Sequence, residues 1–242
     1  MIFQEYLWRN RYFCEPAKKI HVMVDLAQAQ RHESSLETAK FLLQIRAVKL
    51  NNNEPFIWAS GRKSPIYCDN RITLSHPHIR TFIRQEFVKI VENKIGPVDA
   101  IAGVATGGIA QGALVAQELG LPFVYVRSEA KKHGMGNQIE GEIESGSSVV
   151  VVEDLVSTGK SSLLAVDALR EHGCDVKGMV AVFTYGLPVA EKNFEEAKIP
   201  LYTLTNYNDL IECAVELDLL PASDLKSLQE WRKNPEAWSD AH

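Results

Sequence analysis

The stretch Val149-Val150-Val151-Val152-Glu153-Asp154-Leu155-Val156-Ser157-Thr158-Gly159-Lys160-Ser161-Ser162 constrains the fold of this chain more than any other. Four successive β-branched residues suit a strand buried on both faces, the condition of a central strand in a parallel sheet. Two carboxylates end the apolar run, and small hydroxyl residues with one Gly follow. Leu163, Leu164, Val166, Ala168 and Leu169 then repeat at helical spacing. The pattern predicts strand, acidic edge, tight turn and helix. Such a turn directs backbone N–H groups and a helix N-terminus at whatever sits above it, which favours an anion. Glu153 and Asp154 would repel a bare phosphate, so a ligand that satisfies both halves must join a phosphate to hydroxyls or a metal. A ribose 5-phosphate does so. Gly159-Lys160-Ser161 matches the end of a nucleotide P-loop, but G-x-x-x-x-G-K-[ST] would need Gly at the position of Asp154. An ordinary buried strand with a capped helix would share the turn. The adjacent acids set this one apart, because ligands of α/β sheets lie beyond the carboxyl ends of the strands.

The chain has 242 residues, enough for a substantial core in one domain. Its 31 acidic and 26 basic residues leave a net charge of −5, which argues against a broad nucleic-acid surface and for small-molecule partners. Cys14, Cys68, Cys174 and Cys213 show neither C-x-x-C spacing nor a disulfide framework, so reduced thiols and a cytoplasmic location are expected. No apolar run is long enough to cross a bilayer. Residues 1–35 carry no sustained period and form either a peripheral arm or a stretch upstream of a native start such as Met23.

From Leu36 to Leu50 the positions Ala39, Leu42, Leu43, Ala47 and Leu50 predict a helix, closed by Asn51-Asn52-Asn53. Phe56 to Arg71 then read as a hairpin around the turn Ser60-Gly61-Arg62-Lys63-Ser64-Pro65. Arg62, Lys63 and Arg71 lie among aromatics there and would suit a planar anion, although a loop cation is more often simply solvated. His76 and His78 start an amphipathic helix running from Ile79 to Ile95. Asp99–Ala105 predicts a buried strand, Thr106-Gly107-Gly108 a second turn with exposed amides, and Ile109–Leu119 its helix. After the strand Phe123–Arg127, the polar Gly-rich segment Ser128–Gly141 has the character of a lid, with Lys131, Lys132 and His133 as its cations. Beyond the central stretch, strands at Val176–Tyr185 and Leu201–Thr205 flank the helix Val189–Ala197, and helices are expected over Asn208–Leu220 and Ser223–Trp231. Trp231 and Trp238 are read as packing residues. Repeated strand and helix predict an α/β fold with a mainly parallel central sheet flanked by helices. The expected organisation is one domain over residues 36–242, including a small N-terminal hood (36–75) and a flexible lid (128–141).

Four segments together resemble the type I phosphoribosyltransferases: Ser60 to Tyr67, Gly103 to Gly112, Arg127 to Gly141, and Val149 to Ser162. The likeness runs from about Leu36 to the C-terminus. The Ser-Gly-x-x-Ser-Pro hood and the Lys-x-His-Gly lid point, within that family, to members acting on orotate. The resemblance implies transfer of the phosphoribosyl group from 5-phosphoribosyl 1-pyrophosphate to N1 of orotate, with Mg²⁺ bound mainly through substrate phosphates and no dedicated metal cage. It implies that Lys131, His133 and Asp154 are catalytic. Arg127, Lys131, Lys132 and His133 would take the pyrophosphate, and Glu153 and Asp154 the ribose hydroxyls. Leu155, Val156, Ser157, Thr158, Gly159, Lys160 and Ser161 would cradle the 5′-phosphate, with Ser157 also near the base. For the orotate end the candidates come from the residues themselves, the hood cations Arg62, Lys63 and Arg71. The resemblance also implies a homodimer whose lid serves the neighbouring subunit.

Two departures stand out. Many members carry an aromatic residue and a Lys where Thr106 and Gly107 stand, so any pyrophosphate contact from this turn would be mainly backbone. Such members also bring a late Arg to the orotate carboxylate, and Phe183 to Pro188 supplies none. A purine-specific relative would share the sugar site but has no need of a cationic hood. A regulatory protein that only senses phosphoribosyl pyrophosphate is expected to add a basic helix-turn-helix and to lose its lid cations.

Overall fold

A computed structural model describes residues 32–58, 60–128 and 138–242. Residues 1–31, expected as an arm, and 129–137 of the expected lid, with Lys131, Lys132 and His133, lie outside the described residues. The first helix, α1, covers residues 32–44. It does not run on to Leu50 as the spacing predicts, because Arg46 takes the left-handed conformation (φ 57°) and Val48–Leu50 turns into a strand, β1. Phe56–Ile57 (β2) pairs with Lys63–Ser64 (β3), which lies inside the turn expected from the sequence, so the hairpin is tighter than predicted. Pro65 then redirects the chain, so that Ile66–Cys68 (β4) pairs with β1 instead. These short strands make up the segment expected as the hood.

A 3₁₀ turn, Asn70–Ser75, leads into Pro77–Ile90 (α2), which is prolonged by a wider turn over Val91–Ile95. The sheet begins with Ala100–Val104 (β5), followed by Gly107–Leu119 (α3), Phe123–Val126 (β6) and Ile139–Glu140 (β7). Next come Ser148–Val156 (β8), Lys160–Glu171 (α4), Asp175–Thr184 (β9), Pro188–Ala197 (α5) and Leu201–Asn206 (β10). Tyr207–Glu216 (α6), Leu225–Lys233 (α7) and Pro235–Ala241 (α8) close the chain. Among the described residues the strand order is β10-β9-β8-β5-β6-β7, parallel except where β7 runs against β6. The mainly parallel α/β sheet predicted from the sequence is therefore observed, with α8 and β7 added.

The valine run behaves as a doubly buried strand must. Val150 and Val152 enter the core beneath α1, α2, α6 and α7, while Val149 and Val151 enter the opposite core beneath α4 and α5. The same alternation divides Val180 and Val182 from Met179 and Ala181 on β9. Each such side chain is worth about 1.5–3 kcal/mol when withdrawn from water, and the two cores leave β8 little freedom to slip. β9 accompanies β8 to its last residue, Val156.

α7 and α8 fasten the hood to the sheet. Trp231 is fully buried against Trp58 of the hood, Tyr185 just past β9, and Tyr207 of α6. Trp238 is buried too, and its indole N–H donates to Ser227 Oγ at 3.0 Å. Both tryptophans pack, as expected. Among the described residues no helix is long and apolar enough to cross a membrane.

Candidate active site

Two strand–turn–helix units, β5–α3 and β8–α4, stand side by side in the sheet and open a cavity of about 280 Å³ beyond their carboxyl ends. The first lines it with Val104, Ala105, Thr106 and Gly107. The second contributes Glu153, Asp154, Leu155, Ser157, Thr158, Gly159 and Ser161. Among the phosphate-cradle residues expected from sequence, Val156 and Lys160 do not line the cavity. Val156 is fully buried in the core under α4, and its carbonyl accepts from Tyr185 N, while Lys160 is exposed at the first position of α4. Gly159 enters α4 from the left-handed region (φ 78°), which a side chain would strain, and this bend exposes the first-turn N–H groups of α4.

Glu153 and Asp154 are neighbours on a strand, so their side chains leave opposite faces. Both reach the cavity because it lies off the end of the sheet. Glu153 is 4 % exposed and accepts from Ser162 Oγ at 2.9 Å and from the Asp154 N–H at 3.0 Å. Burial first, and the Asp154 charge second, push its carboxyl up to about 8. Asp154 is half-buried. Burial lifts its carboxyl above the usual range, against the lowering pull of its hydrogen bond with Glu153 and of the Arg71 charge. Its carboxylate lies directly on Gly107: a Cβ there would fall 2.2–2.3 Å from all three carboxyl atoms. The carboxylate already fills that space.

Burial therefore works against the charged form of both acids. A glutamate ordinarily titrates at 4.5, and folded Glu153 keeps its proton up to about 8. Between those values the folded chain holds a proton that the unfolded chain has released, so Glu153 makes stability fall as pH rises, and its contribution is lost above the folded value. The melting temperature of the ligand-free protein is expected to decline across this window, and Glu153→Gln should flatten the decline. Equal slopes for the two proteins would contradict the burial argument.

Arg127 and Gln138, on either side of the segment expected to form a lid, are held to each other. Arg127 N donates to Gln138 O at 2.9 Å, Gln138 Nε2 donates back to Arg127 O at 2.8 Å, and the Arg127 guanidinium reaches Glu140 Oε1 at 3.4 Å. The expected hood cations do not line the cavity. Arg62 ion-pairs with Glu236 of α8, and the Lys63 main-chain N–H donates to Ser239 Oγ at 3.0 Å. Arg71 forks onto Asp69 at 2.7 and 2.9 Å and stands close enough to bear on Asp154. Two polar residues carry no spacing signal in the sequence: Ser162, which holds Glu153, and Asn70, which donates to the Asp154 carbonyl at 2.6 Å. Among the described residues no group of three or more His, Cys, Asp or Glu side chains converges as a metal site.

Residues 73–202 match the family model of the phosphoribosyl transferase domain, and so contain both strand–turn–helix units of the cavity. An orotate phosphoribosyltransferase of Porphyromonas gingivalis is 56 % identical over 200 residues, which is 83 % of this chain and 95 % of that protein. The chain belongs to the orotate phosphoribosyltransferase family. A second relative with the same name, from Bacteroides fragilis, is 58 % identical over 200 residues, covering 83 % of this chain and 94 % of its own length. The crystal structure of orotate phosphoribosyltransferase from Aeropyrum pernix superposes with a TM-score of 0.65 at 30 % identity, covering 76 % of this chain and 99 % of that one.

Proposed function

We infer that the cavity between β5–α3 and β8–α4 is where the 5-phosphoribosyl group passes from phosphoribosyl pyrophosphate to N1 of orotate, giving orotidine 5′-phosphate and pyrophosphate. The observation that carries this reading is the pair Glu153–Asp154 beside the α4 turn in one cavity, in a chain of the orotate phosphoribosyltransferase family. Departure of pyrophosphate leaves oxocarbenium character on the ribose, as in glycoside cleavage. Ionised Glu153 and Asp154 would accept from the ribose hydroxyls and favour that positive charge. The turn from Leu155 to Ser161 would hold the 5′-phosphate, with Val156 buried beneath it and outside the cavity.

Arg127 at the lid stem, with Lys131, Lys132 and His133, would receive the leaving pyrophosphate, and closure over it would exclude water that could hydrolyse the sugar. The two acids and the open cavity fit a Mg²⁺ ion that keeps phosphate and water ligands. Bound there, the ion supplies neutralisation of the pyrophosphate charge. The orotate end we assign to Ser157 and to the hood cations. Among the described residues Arg62 and Arg71 each carry a carboxylate partner, whereas Lys63 has no ion pair, which leaves its charge for an incoming carboxylate. In this reading residues 36–242 form one catalytic domain that works as a homodimer sharing its lids.

Asp154→Asn keeps shape and removes charge. It should lower turnover about tenfold or more, the worth of a charge-assisted hydrogen bond, with the melting temperature nearly unchanged. Steady-state kinetics beside thermal denaturation reads both, and wild-type turnover would remove Asp154 from the reaction.

A further inference from the structure

Between the hood and the sheet runs a buried polar chain that the reaction above does not employ. Asn70 is 2 % exposed, Thr73 1 % and Gln111 2 %. Asn70 Nδ2 donates to the Asp154 main-chain carbonyl at 2.6 Å, and its Oδ1 accepts from the Cys68 thiol at 3.2 Å. Thr73 Oγ1 donates to the Asn70 carbonyl at 2.6 Å, and Gln111 Nε2 of α3 reaches Thr73 Oγ1 at 3.4 Å. A carbonyl oxygen only accepts, so a single orientation of the Asn70 amide satisfies both of its neighbours. Burial and nearby carboxylates keep the Cys68 thiol protonated, as a donor must be.

Asp154 needs such a partner because the sheet has stopped on one side of it. β5 pairs with β8 only as far as Val152, while β9 accompanies β8 on the other side to Val156. Among the described residues the β5 side offers no strand donor past Val152, and a carbonyl withdrawn from water without a partner is costly. Asn70 stands in that place. Its own position is fixed in turn by Cys68 from the hood and by Thr73, which Gln111 ties to α3, the helix whose Gly107 lies beneath the Asp154 carboxylate.

We propose that Asn70 is a positioning residue for the phosphoribosyl transfer: it replaces the missing strand neighbour at Asp154 and so keeps the Asp154 carboxylate over Gly107, facing the ribose. The inference rests on the reading of Asp154 given above. A residue acting through Asp154 has nothing left to act on once that charge is gone, and a double-variant cycle reads this directly.

Turnover at saturating orotate and phosphoribosyl pyrophosphate would be measured for wild type, Asn70→Ala, Asp154→Asn and the double variant, with thermal denaturation of each. Asn70→Ala is expected to lose about fivefold or more, and the double variant to be no slower than Asp154→Asn within about twofold. Wild-type turnover in Asn70→Ala overturns the proposal while leaving Asp154 in its role. So does a loss that multiplies in full with that of Asp154→Asn, the pattern of a residue that supports only the fold. Wild-type turnover in Asp154→Asn overturns the reading of Asp154, and this inference with it. Should Asn70→Ala not fold, Asn70→Asp, alike in shape and still an acceptor for Cys68, carries the same cycle.

Discussion

Gly107→Ala is expected to lower turnover about a hundredfold while leaving the folded state nearly as stable as wild type. The added methyl would sit 2.2–2.3 Å from the Asp154 carboxyl, well inside contact distance. What it meets is the end of a side chain, which can swing away without moving β8 or α3, so the fold yields at small cost. The carboxylate then leaves its place by more than an ångström, and misplacement of that size in a reacting group costs of order 10² in rate. Steady-state kinetics and a melting curve on the same preparation separate the two effects. Normal turnover would show that the Asp154 carboxylate need not rest on Gly107 for catalysis. The adjacent Gly108 differs in kind, because a Cβ there would meet the Val152 main-chain oxygen at 2.2 Å, and backbone does not step aside.

Trp231→Ala should show the opposite balance, with stability as the first casualty. The indole is fully buried and makes ring contacts at centroid distances of 5.8 Å with Trp58, 5.7 Å with Tyr185 and 5.1 Å with Tyr207. Removing a buried aromatic of this size costs about 3–5 kcal/mol, which in a chain of this length lowers the melting temperature by roughly 10 °C. Trp231→Phe keeps most of the packing and removes an indole N–H that has no hydrogen-bond partner among the described residues, so its loss should be well under half as large. Comparable losses for the two variants, or none for Ala, would contradict the view that α7 clamps the hood to the sheet through this ring.

The parts of the fold that were legible in the sequence are those with a period. The valine run, the amphipathic α2 and α4, and the alternation of β9 each repeat often enough to declare their burial, and the acids at the end of β8 stand out against that regularity. Strands of two or three residues have no period to read. Val48–Leu50 therefore continues the helical spacing of α1 on paper and leaves it in space, where Arg46 turns left-handed, and β7 passes as part of the lid. The hood cations teach a related lesson. Arg62, Lys63 and Arg71 are close along the chain, but Arg62 is taken by Glu236 and Arg71 by Asp69, and no local pattern announces a partner on α8. Asn70 is hidden for the same reason, since its donation to Asp154 joins two segments that only the fold brings together.

The central claim is the transfer reaction itself, and its most direct test is optical. The protein is mixed with orotate, phosphoribosyl pyrophosphate and Mg²⁺ while absorbance in the orotate band is followed, with adenine, hypoxanthine and xanthine tried in place of orotate in parallel. Loss of orotate absorbance that requires all three additions, with the purines left unconsumed, is the expected result. Consumption of a purine with orotate untouched, or binding of phosphoribosyl pyrophosphate with no transfer to any base, would contradict it.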